Sequence, residues 1–115
     1  MTLRFLSSGE SHGPALIAIL DGMASGLRIS TRVIDQELLR RQRGFGAGPR
    51  MKLEADSVTI LGGVMAGTTI GAPIALQIVN LDHDKWRGKN IEPFCIPRPG
   101  HADLAGAIKY GYTDL

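Results

Sequence analysis

Fifteen glycines, scattered in short clusters instead of gathered into one tract, set the main constraint on this chain of 115 residues. Between them lie apolar runs of only a few residues, so the sequence reads as short elements joined by many tight turns. Glycine accepts backbone angles that other residues refuse, and its missing Cβ lets another backbone or a ligand come close. With 43% hydrophobic residues there is enough apolar material for a core, and the length suits one domain, whole or partial, over residues 1–115.

Alternation places the elements. "TLRFLSSG" sets Leu3 and Phe5 against Thr2 and Arg4, which predicts a short strand. "PALIAILDGM" is apolar from Ala15 to Leu20 and stops at Asp21-Gly22, which predicts a buried strand beside the first, with "GESHG" exposed at one end of the pair. "ISTRVIDQELLRRQRG" predicts the clearest helix. Ser30 or Thr31 caps it, Asp35 and Glu37 favour its first half, and Val33, Ile34 and Leu38 form its apolar stripe. Arg40, Arg41 and Arg43 suit its negative end, and Gly44 follows at the position after the cap. "DSVTILGGV" and "APIALQIVN" predict two more strands, with "MAGTTIG" a structural turn between them. "LDHDKWRGKNIEPFCIPRPG" reads as a long irregular loop anchored by Trp86 and Phe94, and "HADLAGAIKYGYTDL" as a short helix through Ala102, Ala105 and Ile108. No internal repeat or domain boundary is visible.

Charge and cysteine usage exclude several classes. A net charge of +2 lacks the basic excess of a dedicated nucleic-acid binder. The lone Cys95 rules out an internal disulfide and any cysteine-built metal site. "MTLRFLSSGESHG" has no apolar leader segment, and no apolar run is long enough to span a bilayer. The expectation is a cytoplasmic protein with neither nucleic acid nor membrane as a partner.

Three constellations carry chemistry. In "GESHGP" a carboxylate, a hydroxyl and an imidazole (Glu10, Ser11, His12) stand between glycines, as a site would have them, although an ordinary turn with a solvated histidine reads equally well. In "RPGHAD", His101 stands at the start of the last helix with Asp103 two residues on; a neighbouring carboxylate can tune an imidazole for acid–base work, and the plain alternative is that His101 caps the helix. "LRRQRGFGAGPRMK" collects Arg40, Arg41, Arg43, Arg50 and Lys52 with no acid among them, a patch suited to phosphate or carboxylate, or else a solvated surface loop. "DHD", Asp82 to Asp84, fits no metal-ligand spacing, so no metal is expected. Neither a nucleophile elbow nor a Gly-rich nucleotide fingerprint is present. Two histidines and an arginine patch suit a small anionic substrate handled by acid–base chemistry.

Four blocks in order, "GESHGPALIAILDGMASGL", "LRRQRGFGAGPRMK", "TTIGAPIALQIVN" and "RPGHADLAGAIKYG", resemble the N-terminal part of chorismate synthase and cover most of the chain. The resemblance implies an α+β fold, the first part of that family's β-α-β sandwich, assembled as a homotetramer. It implies a lyase of the shikimate pathway, and so of aromatic amino acid biosynthesis, that turns 5-enolpyruvylshikimate 3-phosphate into chorismate by 1,4-anti elimination. Reduced FMN is required without net redox change, and NADPH reduces the flavin in some members. By motif, His12 becomes the general acid for the leaving phosphate, and His101 protonates or hydrogen-bonds the reduced flavin. Arg41 matches an arginine used on the anionic ligand and on NADP; Arg50 and Arg98 become further anion contacts, and Ser11 joins the substrate loop beside Glu10.

Two departures accompany the resemblance. Alanine stands at position 47, in "GFGA", where the family pattern has an arginine, and Arg43 stands where relatives commonly carry a smaller residue. The family's serine- and arginine-rich flavin segment and a later catalytic Arg/Asp pair fall beyond Leu115. Two rival readings therefore stand beside the lyase: a non-catalytic anion- or flavin-binding unit, and a regulatory partner of a longer subunit.

Overall fold

The computed structural model describes residues 2–10, 12–44 and 56–115. Four strands form one antiparallel sheet: β1 (Arg4–Ser8), β2 (Ala15–Asp21), β3 (Val58–Gly62) and β6 (Ile74–Val79), in the spatial order β1-β2-β6-β3. Between β3 and β6 a small hairpin pairs β4 (Val64–Met65) with β5 (Thr68–Thr69). Its two-residue turn has positive φ at both positions, 49° at Ala66 and 77° at Gly67, as the right-handed twist of a tight hairpin demands. Helix α1 (Thr31–Gln42) links β2 to β3 and packs on β3; helix α2 (Asp103–Tyr110) is the last element in the order. The fold is α+β.

Strand pairing follows the apolar alternation. Register sets Phe5 opposite Leu20 and Leu20 opposite Ile74, so these residues share one sheet face with Val58, Ile60, Leu76 and Ile78. That face holds the buried apolar centre, Val58 and Ile74 at 8% and 3% exposure, and its burial fades towards β1, where Phe5 is 77% exposed. The opposite face presents Leu6, Ile17, Ile19 and Val79 to solvent. The strand over Ala15–Asp21 is therefore central by hydrogen bonding but open on one face, which corrects the expectation that it is buried. A continuous apolar run needs two covered faces, and among the described residues this one has cover on one side only.

Side chains, more than helix propensity, tie α1 to the sheet. Ser30 occupies the cap position but its hydroxyl makes no capping bond, and Val33 lies exposed instead of in the stripe. Asp35 accepts the backbone N–H of Val58 at 2.7 Å, and buried Gln42 accepts that of Asp56 at 3.1 Å. In the sequence Asp35 served only to favour the helix's first half; the fold uses it to hold the start of β3. Asp35→Ala leaves a partly buried N–H without its charged acceptor and is expected to cost about 1–3 kcal/mol by chemical denaturation, with Asp35→Asn recovering part of it.

Thr69 is the least exposed residue described, at 2%. Its hydroxyl donates to Ala24 O at 2.7 Å and accepts from Leu27 N at 2.9 Å, while Gly26 N and Leu27 O bond its backbone. One threonine thus stitches the segment after β2 to the hairpin before β6. The next strand, β6, can then insert between β2 and β3.

Candidate functional site

The antiparallel order puts the start of β2 beside the end of β6, so the His12 loop lies against the residues that follow Val79. Gly9 enters this loop at φ 137°, and a Cβ there would stand 2.6 Å from both Ala15 O and Leu16 Cδ2. Its bareness is needed by the loop's own return into β2, a use that the glycine pattern alone did not reveal.

Beyond Val79 the chain turns through a short 3₁₀ segment, Leu81–Lys85. Three consecutive carbonyls of the His12 loop are held from this side. His83 Nδ1 lies 3.0 Å from His12 O, Asn80 Nδ2 donates to Gly13 O at 2.8 Å, and Asn80 N donates to Pro14 O at 2.9 Å. The His12 ring itself meets Trp86 in a T-shaped contact, centroids 5.1 Å apart and planes at 79°. His12 is exposed, but it is packed and tethered, which sets it apart from a merely solvated turn histidine. Asp82 pairs with Lys85 at 2.7 Å and Asp84 with Arg87 at 3.2 Å, so the "DHD" carboxylates serve ion pairs. Among the described residues no group of three or more His, Cys, Asp and Glu side chains could hold a metal ion.

The second loop closes on one ion pair. Arg98 grips Asp103 with Nε at 2.9 Å and Nη2 at 3.0 Å, and its backbone N–H adds a third bond at 3.0 Å. Gly100, at φ 74°, allows the reversal, and His101 stands exposed within the ring so formed. Ala102 occupies the cap position of α2, so His101 is not the helix cap. The Arg98 side-chain bonds, then its backbone bond, hold the Asp103 carboxyl down at about 2, below its ordinary 3.8. A depressed carboxylate stabilises the fold above the unfolded value, and that stabilisation is lost as pH falls through the folded one. Wild type is therefore expected to exceed Asp103→Asn in melting temperature at neutral pH, with the gap closing between about pH 4 and pH 2.

Of the basic cluster, Arg40 binds Glu37 through Nε at 2.8 Å and Nη2 at 2.6 Å, and Arg41 binds Asp56 at 3.1 Å. The acids absent from the local sequence arrive from the preceding turn and from the start of the next strand. Arg41 and Arg98 both keep about half their side-chain surface exposed, 56% and 49%, so each guanidinium can still meet an anion. Ser11, Arg50, Lys52 and Ala47 lie outside the described residues. The sequence-assigned residues thus occupy a tethered His12 loop, a ring carrying His101 and Arg98, and the end of α1 with Arg41. Reasoning from sequence missed Asn80 and His83; the signal was an asparagine just after a strand, whose side chain caps the following turn by accepting Asp82 N at 3.2 Å.

An α+β chain that presents two fixed histidine loops and half-free guanidinium groups has the equipment for acid–base chemistry on an anionic small molecule. The family model for chorismate synthase matches residues 3–115. A chorismate synthase of Anaeromyxobacter dehalogenans is 50% identical over 120 residues, 99% of this chain and 32% of that protein. One of Chlorobium luteolum is 51% identical over 122 residues, 98% of this chain and 31% of the relative. A crystal structure of chorismate synthase superposes with a TM-score of 0.68 at 42% identity, over 96% of this chain and 25% of the solved one. This chain belongs to the chorismate synthase family, a family of lyases, and spans about a third of the length of the curated relatives it matches. Among the described residues no helix is long and apolar enough to cross a membrane.

Proposed function

We propose that this chain carries the proton-donating and anion-binding part of a chorismate synthase, acting on 5-enolpyruvylshikimate 3-phosphate. The observation that supports this best is the His12 imidazole, exposed yet fixed at its ring by Trp86 and at its carbonyl by His83. In the 1,4-elimination, the electrons of a ring C–H bond form a new C=C bond, the ring's existing C=C pair shifts by one bond onto the carbon that bore the phosphate, and the electrons of the C–O bond leave with the phosphate. His12, as imidazolium, gives its proton to the departing phosphate oxygen and neutralises charge where it develops. Arg41 and Arg98 would meet the phosphate or carboxylates of the substrate with their free N–H groups, and Ser11 would lie in the same loop as His12. Arg50 belongs to the same proposed anion contacts.

The donor set fits reduced FMN. His101 is exposed beside an ionised carboxylate, which suits an imidazole that donates a hydrogen bond or proton to an electron-rich ring, and Arg41 suits an anionic group of FMN or of NADPH. When bound, reduced FMN supplies electron density for phosphate departure and a basic nitrogen for the ring proton. Assembly as a homotetramer in the cytoplasm belongs to the same reading, and the open apolar sheet face of Leu6, Ile17, Ile19 and Val79 supports a covered state of this kind.

The test is an anaerobic assay of the protein with reduced FMN and 5-enolpyruvylshikimate 3-phosphate, following phosphate and chorismate together. Equal release of both is expected. That same open sheet face suits equally a partner of a longer subunit; co-purification with a longer homologue would replace the lyase with that reading, and flavin binding without product would replace it with a non-catalytic binding unit.

A further inference from the structure

His83 has no part in the chemistry proposed above, yet its ring nitrogen lies 3.0 Å from the carbonyl oxygen of His12. A carbonyl can only accept, so Nδ1 carries the proton and the tautomer is set by the contact. The His83 backbone is locked as well: its N–H donates to Asn80 O at 3.0 Å, and its carbonyl accepts from Trp86 N at 2.8 Å and Arg87 N at 3.1 Å. Asn80 continues the β2–β6 ladder by one rung through Pro14 O and spends its side chain on Gly13 O and Asp82 N. One turn, Asn80 to Trp86, therefore grips His12 twice, by its carbonyl through His83 and by its ring through Trp86.

We propose that His83 is a positioning residue: with Asn80 it fixes the backbone of the His12 loop and thereby aims the His12 imidazole against Trp86. The three carbonyls of residues 12–14 would otherwise face water, and each bond that replaces water adds only about 1 kcal/mol. Their joint effect is geometric. Losing the His83 bond frees the one carbonyl nearest the imidazole and leaves the ladder rung at Pro14 intact, so the sheet survives while the ring loses its direction. The charged groups around the turn, the Asp82–Lys85 and Asp84–Arg87 pairs and Lys89 over Trp86, are partnered within the same segment. The loop's own Glu10 is the remaining charge beside His12 in sequence.

The consequence for turnover rests on the proposed role of His12; the geometric claim does not, and the experiment separates them. Trp86 is the chain's one tryptophan, so its ring current marks the protons of the imidazole packed on it. Proton NMR of wild type should show His12 ring signals displaced by the indole and cross-relaxing with it, signals that His12→Asn removes and so assigns. In His83→Ala the displacement and the cross-relaxation are lost, while the amide signals of β2 and β6 stay in place. His83→Asn keeps both, because its amide N–H falls at the δ position, and His83→Gln, with its N–H one bond further out, does not. Retention in His83→Ala, or no displacement in wild type, overturns the proposal; should His83→Ala fail to fold, the Asn and Gln variants decide it, equal behaviour of the two being the adverse result. In the turnover assay, His83→Ala is expected to lower kcat by up to about 10²-fold at little-changed KM and His83→Asn to restore it. Wild-type NMR as described with no turnover would sink the lyase reading and leave the clamp standing.

Discussion

Gly63→Ala is expected to remove about 3–5 kcal/mol of folding stability, the largest loss from any single added methyl on a described residue. Two costs combine. Gly63 sits at φ 84°, where an L side chain is strained, and the added Cβ would press on Pro73 O and stand 2.6 Å from Ile74 Cα and 2.8 Å from Pro73 C. All three are backbone atoms of the segment entering β6, so no rotamer change relieves them. Ile74 is one of the two buried hydrophobic residues described, and it pairs with Leu20. Relief by shifting the segment would pull Ile74 from its place and carry β6, which both β2 and β3 flank, out of register. Stabilities of small domains lie near about 5–15 kcal/mol, so the variant is expected to lose a large share of its stability, read as a clear fall in melting temperature by circular dichroism. Gly106→Ala is the control: the atom its Cβ meets is the hydroxyl end of Tyr112, a half-exposed side chain that can swing aside, and a change under about 1 kcal/mol is expected. Equal losses in the two variants would show that backbone contact at Gly63 is not what matters.

What the sequence made legible was local. Ile74, Leu76 and Ile78 announced a strand by alternation and Ala15–Leu20 by a short continuous apolar run, both signals that act over neighbouring residues, and the helix over Thr31–Gln42 followed from its stripe and its basic end. The two histidine loops and the order of the motif blocks were equally visible, since glycine and histidine spacing is written in the chain. What stayed hidden was long range. Thr69 read as part of a turn, although its hydroxyl joins residues 42 and 45 positions away. Arg41 read as free charge, although Asp56 folds back onto it. Asp35 read as a residue favouring the helix's first half, although it holds Val58. His83 read as the middle of an empty metal motif, although the β2–β6 pairing brings it 71 residues back to His12. Each miss is a polar side chain whose partner is chosen by strand order, and strand order is not encoded in any one segment.

The largest effect on turnover should come from His12→Asn, which keeps a polar side chain of similar reach but cannot act as an imidazolium acid. In the proposed reaction kcat should fall about 10²–10⁴-fold, or roughly 3–5 kcal/mol of transition-state stabilisation. The loss should appear in kcat with KM nearly constant, because the proton is given only as the phosphate leaves and the ground state gains little from it. Free imidazole in the assay should restore part of the rate, since the cleft left beside Trp86 faces solvent at the exposed loop. A packing role for His12 would behave otherwise: a stability loss with KM and kcat moving together, and no response to imidazole. Asp103→Asn provides the contrast at the other loop, where the change should alter acid stability and the setting of His101 without removing the donor to the phosphate. If His12→Asn retains more than about a tenth of kcat, proton donation from this loop is not what drives the elimination, and the donor has to be sought among the other acids of the active assembly.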